Sequence, residues 1–223
     1  MRRKQPLEIG EAYHVLNKSI AGFKIFNSVS DYQRMLQALE YFSLAETTPK
    51  FSYFLTRAKE AGKSFEQYLD QCYPEPKNHV QIVAYCLMPT HFHLILIPKR
   101  KDGVSRMMHN VLTSYSHYFN LRHKRKGPLW VGPFKNILVE SDEQLWHLTR
   151  YIHLNPATAR LVAKAEQWQF SSYHEYVTPS KVERPLCQYK TILEIKPRQY
   201  RSFVNDQADH QRELAKIKHL IAE

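Results

Sequence analysis

The chain lacks the features that would place it outside the cell or in a membrane. Its first residues hold no apolar stretch of the secretory kind, no run is long and apolar enough to span a bilayer, and no internal repeat or low-complexity tract stands out. Cysteine is scarce too: Cys72, Cys86 and Cys187 fall in no CxxC or disulfide-like pattern. The expectation is a cytoplasmic protein with three reduced, structural thiols. Acidic residues are the other shortage. Only 21 Asp and Glu stand against 32 Lys and Arg, a formal charge of +11, with an isoelectric point near 9.5. With no membrane segment to explain that excess, nucleic acid is the natural polyanionic partner. No obligate protein partner is inferred. What is present in quantity is apolar material, 43% of 223 residues, enough for a substantial core.

The pattern along the chain alternates strand and helix. Tyr13 to Ile20 reads as a strand, and Ser30 with Gln33 forms a capping box ahead of Tyr32, Met35, Leu36, Leu39 and Phe42 at helical spacing. Phe51 to Tyr73 is a charged amphipathic segment closed by Tyr-Pro-Glu-Pro, and it reads as a helical insertion at about 46–78. Val80 to Met88 and the run from His91 to Ile97 form a hairpin about Pro89-Thr90. Val104, Met108, Val111, Tyr115, Tyr118 and Arg122 share a helix face. A fourth strand spans Phe134 to Glu140, and Ser141 with Gln144 opens a last helix. The order β-α-β-β-α-β-α predicts an α+β, ferredoxin-like antiparallel sheet with helices packed on one face. Residues 1–177 would form this domain, and 178–223 a small charged helical appendage.

Chemistry concentrates at His91-Phe92-His93. Two imidazoles two residues apart on a strand project from one face, while Phe92, Leu94 and Leu96 point to the other. That is either a metal pair or two satisfied histidines on a half-buried strand. On the last helix, Leu145, Leu148 and Ile152 form the apolar stripe, flanked by Tyr151 and Asn155 four residues apart. Packed beside the sheet, that helix would bring a phenol and an amide to the histidines, assembling a site for one divalent ion. Asn155 has a second reading, because Asn-Pro is also a favoured cap with proline at the first helical position. Tyr115 and Tyr118 read as core or DNA-stacking residues, and His153, on the other side of the helix from Tyr151, as a surface residue or one that supports the site from behind.

Together these residues resemble a family. His91-Phe-His93 followed in order by Tyr151-Ile-His-Leu-Asn155-Pro156 is similar to the single-tyrosine HUH (His-hydrophobe-His) transposases, and more closely to the REP-associated tyrosine transposases. The resemblance extends from Tyr13-His-Val-Leu-Asn17 through Gly127-Pro-Leu-Trp130 and Phe134-Lys135 to Trp168-Gln-Phe-Ser-Ser-Tyr173 and the segment around Tyr200 to Val204. It implies cleavage and joining of single-stranded DNA near hairpins, with Tyr151 as nucleophile and His91, His93 and Asn155 holding Mg2+ or Mn2+. The product expected of that attack is a 5′-phosphotyrosine and a 3′-hydroxyl. A non-cutting DNA-hairpin or RNA-binding module, and a metal-dependent nuclease using water, are the rival readings.

The run from Arg122 to Trp130 places Arg122, Lys124, Arg125 and Lys126 ahead of an aromatic, as a backbone-tracking loop with a base-stacking platform at Trp130 requires. Its alternative is a solvated basic turn anchored by Trp130. Lys135 and an arm of Arg2 and Arg3 complete the expected DNA contacts. The resembled family commonly carries a basic residue where Pro133 stands, a departure that bears on one phosphate or base contact there.

Overall fold

The computed structural model describes residues 7–47 and 50–206. Arg2 and Arg3, expected as a phosphate-touching arm, lie outside the described residues, as does the chain beyond 206. The elements are β1 (Tyr13–Lys18), α1 (Val29–Ser43), α2 (Phe51–Glu60), α3 (Phe65–Cys72), β2 (Val80–Met88), β3 (His91–Pro98), α4 (Gly103–Arg122), β4 (Lys135–Leu138), α5 (Asp142–Thr158), α6 (Tyr173–Val177) and α7 (Pro197–Asn205). The strands form one antiparallel sheet in the order β2-β3-β1-β4, which is the ferredoxin-like order that β-α-β-β-α-β predicts.

β2 and β3 are buried along nearly their whole length, because both faces of this hairpin are covered. α1 and α4 pack on each other and on one face, whereas α5 rests on the other, so the helices do not all lie on one face as the element order predicts. The outer edge of β2 is also closed. Leu87 N donates to Phe170 O (2.9 Å), Ser172 N to Tyr85 O (3.0 Å) and Gln188 N to Ile82 O (2.8 Å), which removes the exposed ladder that an edge strand otherwise presents. The hairpin turn is held from the side, since Pro89 O accepts from Ile25 N (2.8 Å) and Thr90 O from Ser19 N (2.9 Å). Gly103 opens α4 at a close approach, where a Cβ would stand 2.7 Å from His79 O.

Local differences from the sequence expectations have physical causes. The first helix is capped by Ser28 and not Ser30: Asp31, fully buried, accepts from the Ser28 and Asn27 amides at 3.0 and 2.9 Å, so the carboxylate three residues on selects the cap. The other carboxylate oxygen accepts from the Tyr118 hydroxyl (2.9 Å), locking α1 to α4. The fourth strand is shorter than expected, since only Lys135 to Leu138 pair with β1. Helices α2 and α3 fill the expected insertion and share a cluster of Phe51, Phe54, Phe65 and Leu69 with Tyr41 of α1.

The segment set apart as an appendage is continuous with the main core where it is described. Cys187, Tyr189, Leu193, Tyr200 and Val204 are all buried in it. His153 lies at this junction, not a surface residue but wholly buried, its Nδ1 2.7 Å from the Tyr200 hydroxyl and its Nε2 2.8 Å from Ser172 Oγ. Burial drives its pKa from 6.5 to about 3. Below pH 6.5 the unfolded chain takes up a proton that the folded protein refuses, so stability is lost on acidification from 6.5 toward 3, by about 1.4 kcal/mol per pH unit for this residue. Urea midpoints are expected to fall more between about pH 7 and about pH 5 in the native chain than in His153→Gln; equal falls would show that the tail does not hold the ring neutral.

Candidate active site

Residues opposite one another in an antiparallel ladder point the same way. The pairs His93↔Leu16, His91↔Lys18 and Ile95↔His14, with Leu16↔Lys135 beyond, therefore set His14, Lys18, His91, His93 and Lys135 on one face of the sheet. Phe92 points to the other face, where its ring meets Trp130 at 5.5 Å.

The His91 and His93 rings stand perpendicular with centroids 5.2 Å apart. His93 Nδ1 lies 2.9 Å from His14 Nε2, and His91 Nδ1 lies 3.0 Å from Thr90 Oγ1. Burial lowers the pKa of both, His93 to about 3, with the neighbouring His14 and His91 adding to the effect there and Lys18 adding at His91. Both are neutral imidazoles at neutral pH, the form that ligates a metal.

α5 carries the phenol to this face. Ser141 Oγ accepts from Gln144 N (3.1 Å) at its start, as the spacing predicts. The Tyr151 ring stands 5.7 Å from that of His93 and 6.4 Å from that of His14, edge-on to both, and the residue is 37% exposed. Its ring leans on the histidines while solvent reaches the residue. Burial raises its pKa from 10, and the Asn155 side chain one turn on pulls in the opposite direction with smaller effect. The phenol is therefore protonated at neutral pH, and its attack depends on charge stabilisation at the target.

Asn155 is not a helix cap. α5 runs through Asn155 and Pro156 to Thr158, with Ala159 N donating to Asn155 O (2.9 Å). Pro156 deletes one intrahelical N–H, which the helix tolerates because it ends within a turn. The capping alternative is thereby removed, and the amide stays buried at 9% exposure.

The donor set fits a divalent ion. Two neutral nitrogens and an amide carry no charge, so the ion's positive charge is left to face a phosphodiester. Among the described residues no three His, Cys, Asp or Glu side chains gather into a metal cage. His91, His93 and Asn155 are the residues that could hold an ion here, and they would leave part of its shell open.

The expected DNA contacts divide. Lys124, Lys126 and Lys135 are exposed. Arg125 is instead a staple: its guanidinium donates to Asn120 Oδ1 (3.1 Å) and Pro128 O (2.7 Å) and lies over the Phe23 ring. Arg122 is exposed, but it donates to the Tyr118 hydroxyl (3.2 Å) and faces Asp31. Trp130 is not a stacking platform. It is 9% exposed, donates to Leu112 O (3.3 Å) and packs on Phe92 and Tyr115, because the loop needs an apolar anchor more than a free ring. Accordingly, Lys124→Ala with Lys126→Ala is expected to reduce the slope of log K against log[salt] by about 1.4 to 1.8 for hairpin DNA, and Arg125→Ala to destabilise the loop. An unchanged slope in the double variant would return the run to a solvated turn.

Tyr115 and Tyr118 lie on α4, across the sheet from the histidines, with hydroxyls donated to Ile25 O and Asp31. Three residues at the site carry no chemical signal in the sequence: His14, Lys18 and Thr90. The inward alternation of Tyr13 and Val15 marks His14 and Lys18 as facing the other way, but only the β1–β3 register places them beside His93 and His91.

Residues 53–155 match the family model described as "Transposase IS200 like". A Haemophilus influenzae protein named as a REP-associated tyrosine transposase is 24% identical over 161 residues, covering 67% of this chain and 88% of that protein. The structure of a REP-associated tyrosine transposase bound to a REP hairpin superposes with a TM-score of 0.54 at 15% identity, over 83% of this chain and 89% of the other. The histidine pair, Tyr151 and Asn155 all fall inside the matched stretch, whereas His14 precedes it. Residues 53–155 thus resemble the IS200-like transposases, and the chain as a whole is similar in sequence and fold to REP-associated tyrosine transposases.

Proposed function

We propose that the protein cleaves and rejoins single-stranded DNA at hairpin-containing sites through a covalent bond to Tyr151, with Mg2+ or Mn2+ held by His91, His93 and Asn155. The observation that carries this reading is a part-exposed tyrosine 5.7 Å, ring to ring, from His93. The REP hairpin bound to the similar structure points to the substrate class, and among the described residues no helix is long and apolar enough to cross a membrane.

In this reading the Tyr151 oxygen attacks phosphorus in line, forming a 5′-phosphotyrosine as the bond to the 3′ oxygen breaks. The tyrosyl proton is released, and the departing oxygen takes up a proton to become a 3′-hydroxyl. A bound divalent ion supplies charge neutralisation at the scissile phosphate. His91 and His93 hold it without adding negative charge. Asn155, whose side chain favours the Tyr151 phenolate, would add an amide oxygen to the same donor set. The bond energy is kept in the ester, so a second 3′-hydroxyl can reverse the step and join strands. Imidazole donors favour softer ions, which makes manganese the better activator in vitro.

One observation favours a second reading, a nuclease in which water attacks: burial raises the Tyr151 pKa and so opposes formation of its nucleophilic phenolate. Incubation with a library of single-stranded hairpin oligonucleotides and Mn2+, followed by denaturing gels and mass spectrometry, tests the two. A covalent protein–DNA species is expected; cleaved DNA without one would establish the nuclease.

A further inference from the structure

Both imidazoles of the pair are bonded at Nδ1, which leaves Nε2 as the remaining ring nitrogen of each. Their partners differ in kind. Thr90 Oγ1, 3.0 Å from His91, is a hydroxyl that can donate or accept. His14 Nε2, 2.9 Å from His93 Nδ1, belongs to a ring whose role is set by its own tautomer. Two neutral imidazoles sharing one hydrogen bond hold a single proton between them. Either His93 Nδ1–H donates to His14 Nε2, or His14 Nε2–H donates to His93 Nδ1. Only the first leaves a lone pair on His93 Nε2. The second puts a proton there and abolishes ligation.

We propose that His14 is a positioning residue: its Nε2 accepts the Nδ1 proton of His93, fixing the tautomer and ring orientation in which His93 Nε2 can ligate the metal. The inference rests on the metal reading of the site. His14 reaches its partner across the sheet, diagonal to His93 and opposite Ile95, so the β1–β3 register itself delivers it. The rings are nearly parallel, 23° between planes with centroids 5.1 Å apart, so the contact also restrains the plane of His93. His93 is 7% exposed, so water has little access to replace a lost partner. Partners of this kind orient metal-bound imidazoles and raise their basicity, and losing one weakens metal binding by about tenfold to a hundredfold.

The test uses the full chain, free of DNA. In the metal-free protein, long-range proton–nitrogen NMR of labelled histidine is expected to show His93 protonated at Nδ1, and His14→Ala to lose that preference. In calorimetric titration with Mn2+ alone, His14→Ala is expected to bind about tenfold to a hundredfold more weakly than the native chain. His14→Gln, whose amide oxygen can accept the same proton, should recover the Nδ1 tautomer and most of that loss. Mn2+ affinity within about twofold of native in His14→Ala, with the His93 tautomer unchanged, would overturn the proposal. So would a direct ligation shift of the His14 ring on addition of diamagnetic Zn2+, which would make it a ligand itself. If His93→Ala leaves Mn2+ binding intact, the metal reading has failed and takes the role of His14 toward a metal with it. Failure confined to His14→Ala leaves the metal reading standing.

Discussion

Tyr151→Phe is expected to fold, to bind metal and hairpin DNA as the native chain does, and to cleave about a thousandfold more slowly or worse, with no covalent adduct. The substitution isolates chemistry from packing. The ring that stands edge-on to His93 and His14 is retained, and only the hydroxyl beside Asn155 is removed. With the native chain, the adduct should survive denaturation, map to the peptide containing Tyr151, and hold the DNA fragment through its 5′ phosphate. Because burial raises the phenol above 10, the fraction of nucleophilic phenolate, and with it the native cleavage rate, should climb with pH across the neutral range. Near-native cleavage by Tyr151→Phe would make water the nucleophile. An adduct on Tyr115 or Tyr118 would keep covalent chemistry but contradict the geometry, since those hydroxyls are committed on the opposite side of the sheet.

His91→Ala and His93→Ala are expected to abolish cleavage while hairpin affinity stays within about tenfold of native, because binding is mainly a phosphate term and cleavage is not. The two losses should match removal of divalent ions by a chelator, and neither variant should recover activity in excess Mn2+. The flanking cations explain the separation: Lys18 and Lys135 share the face of the histidines, and exposed Lys124 and Lys126 stand on the loop, so the electrostatic contribution to binding survives loss of the imidazoles. Full activity of either variant in metal-supplemented buffer would remove the metal from the mechanism. A loss of hairpin binding equal to the loss of cleavage would mean that the ion serves to hold DNA rather than to activate it.

Local periodicity was enough to read much of this protein from its sequence. Alternation along β3 determined that His91 and His93 share a face and that Phe92 opposes them, because the side-chain period of a strand is two whatever lies around it. Helical spacing placed Tyr151 and Asn155 on one side of α5, and the succession of periods was sufficient for the ferredoxin-like order. Contacts between distant segments were not legible, since nothing local encodes a register or which distant side chains pack together. That is why Trp130 proved to be an anchor: whether an aromatic beside a basic loop faces solvent depends on the hole that Phe92 and Tyr115 leave for it. It is also why Arg125, which reads as a DNA contact among its cationic neighbours, is spent on its own loop. His153 became core because Ser172 and, from the tail, Tyr200 close over it. His14 entered the site because the β1–β3 register makes residues 79 positions apart diagonal neighbours on one face, where their ring nitrogens meet at 2.9 Å.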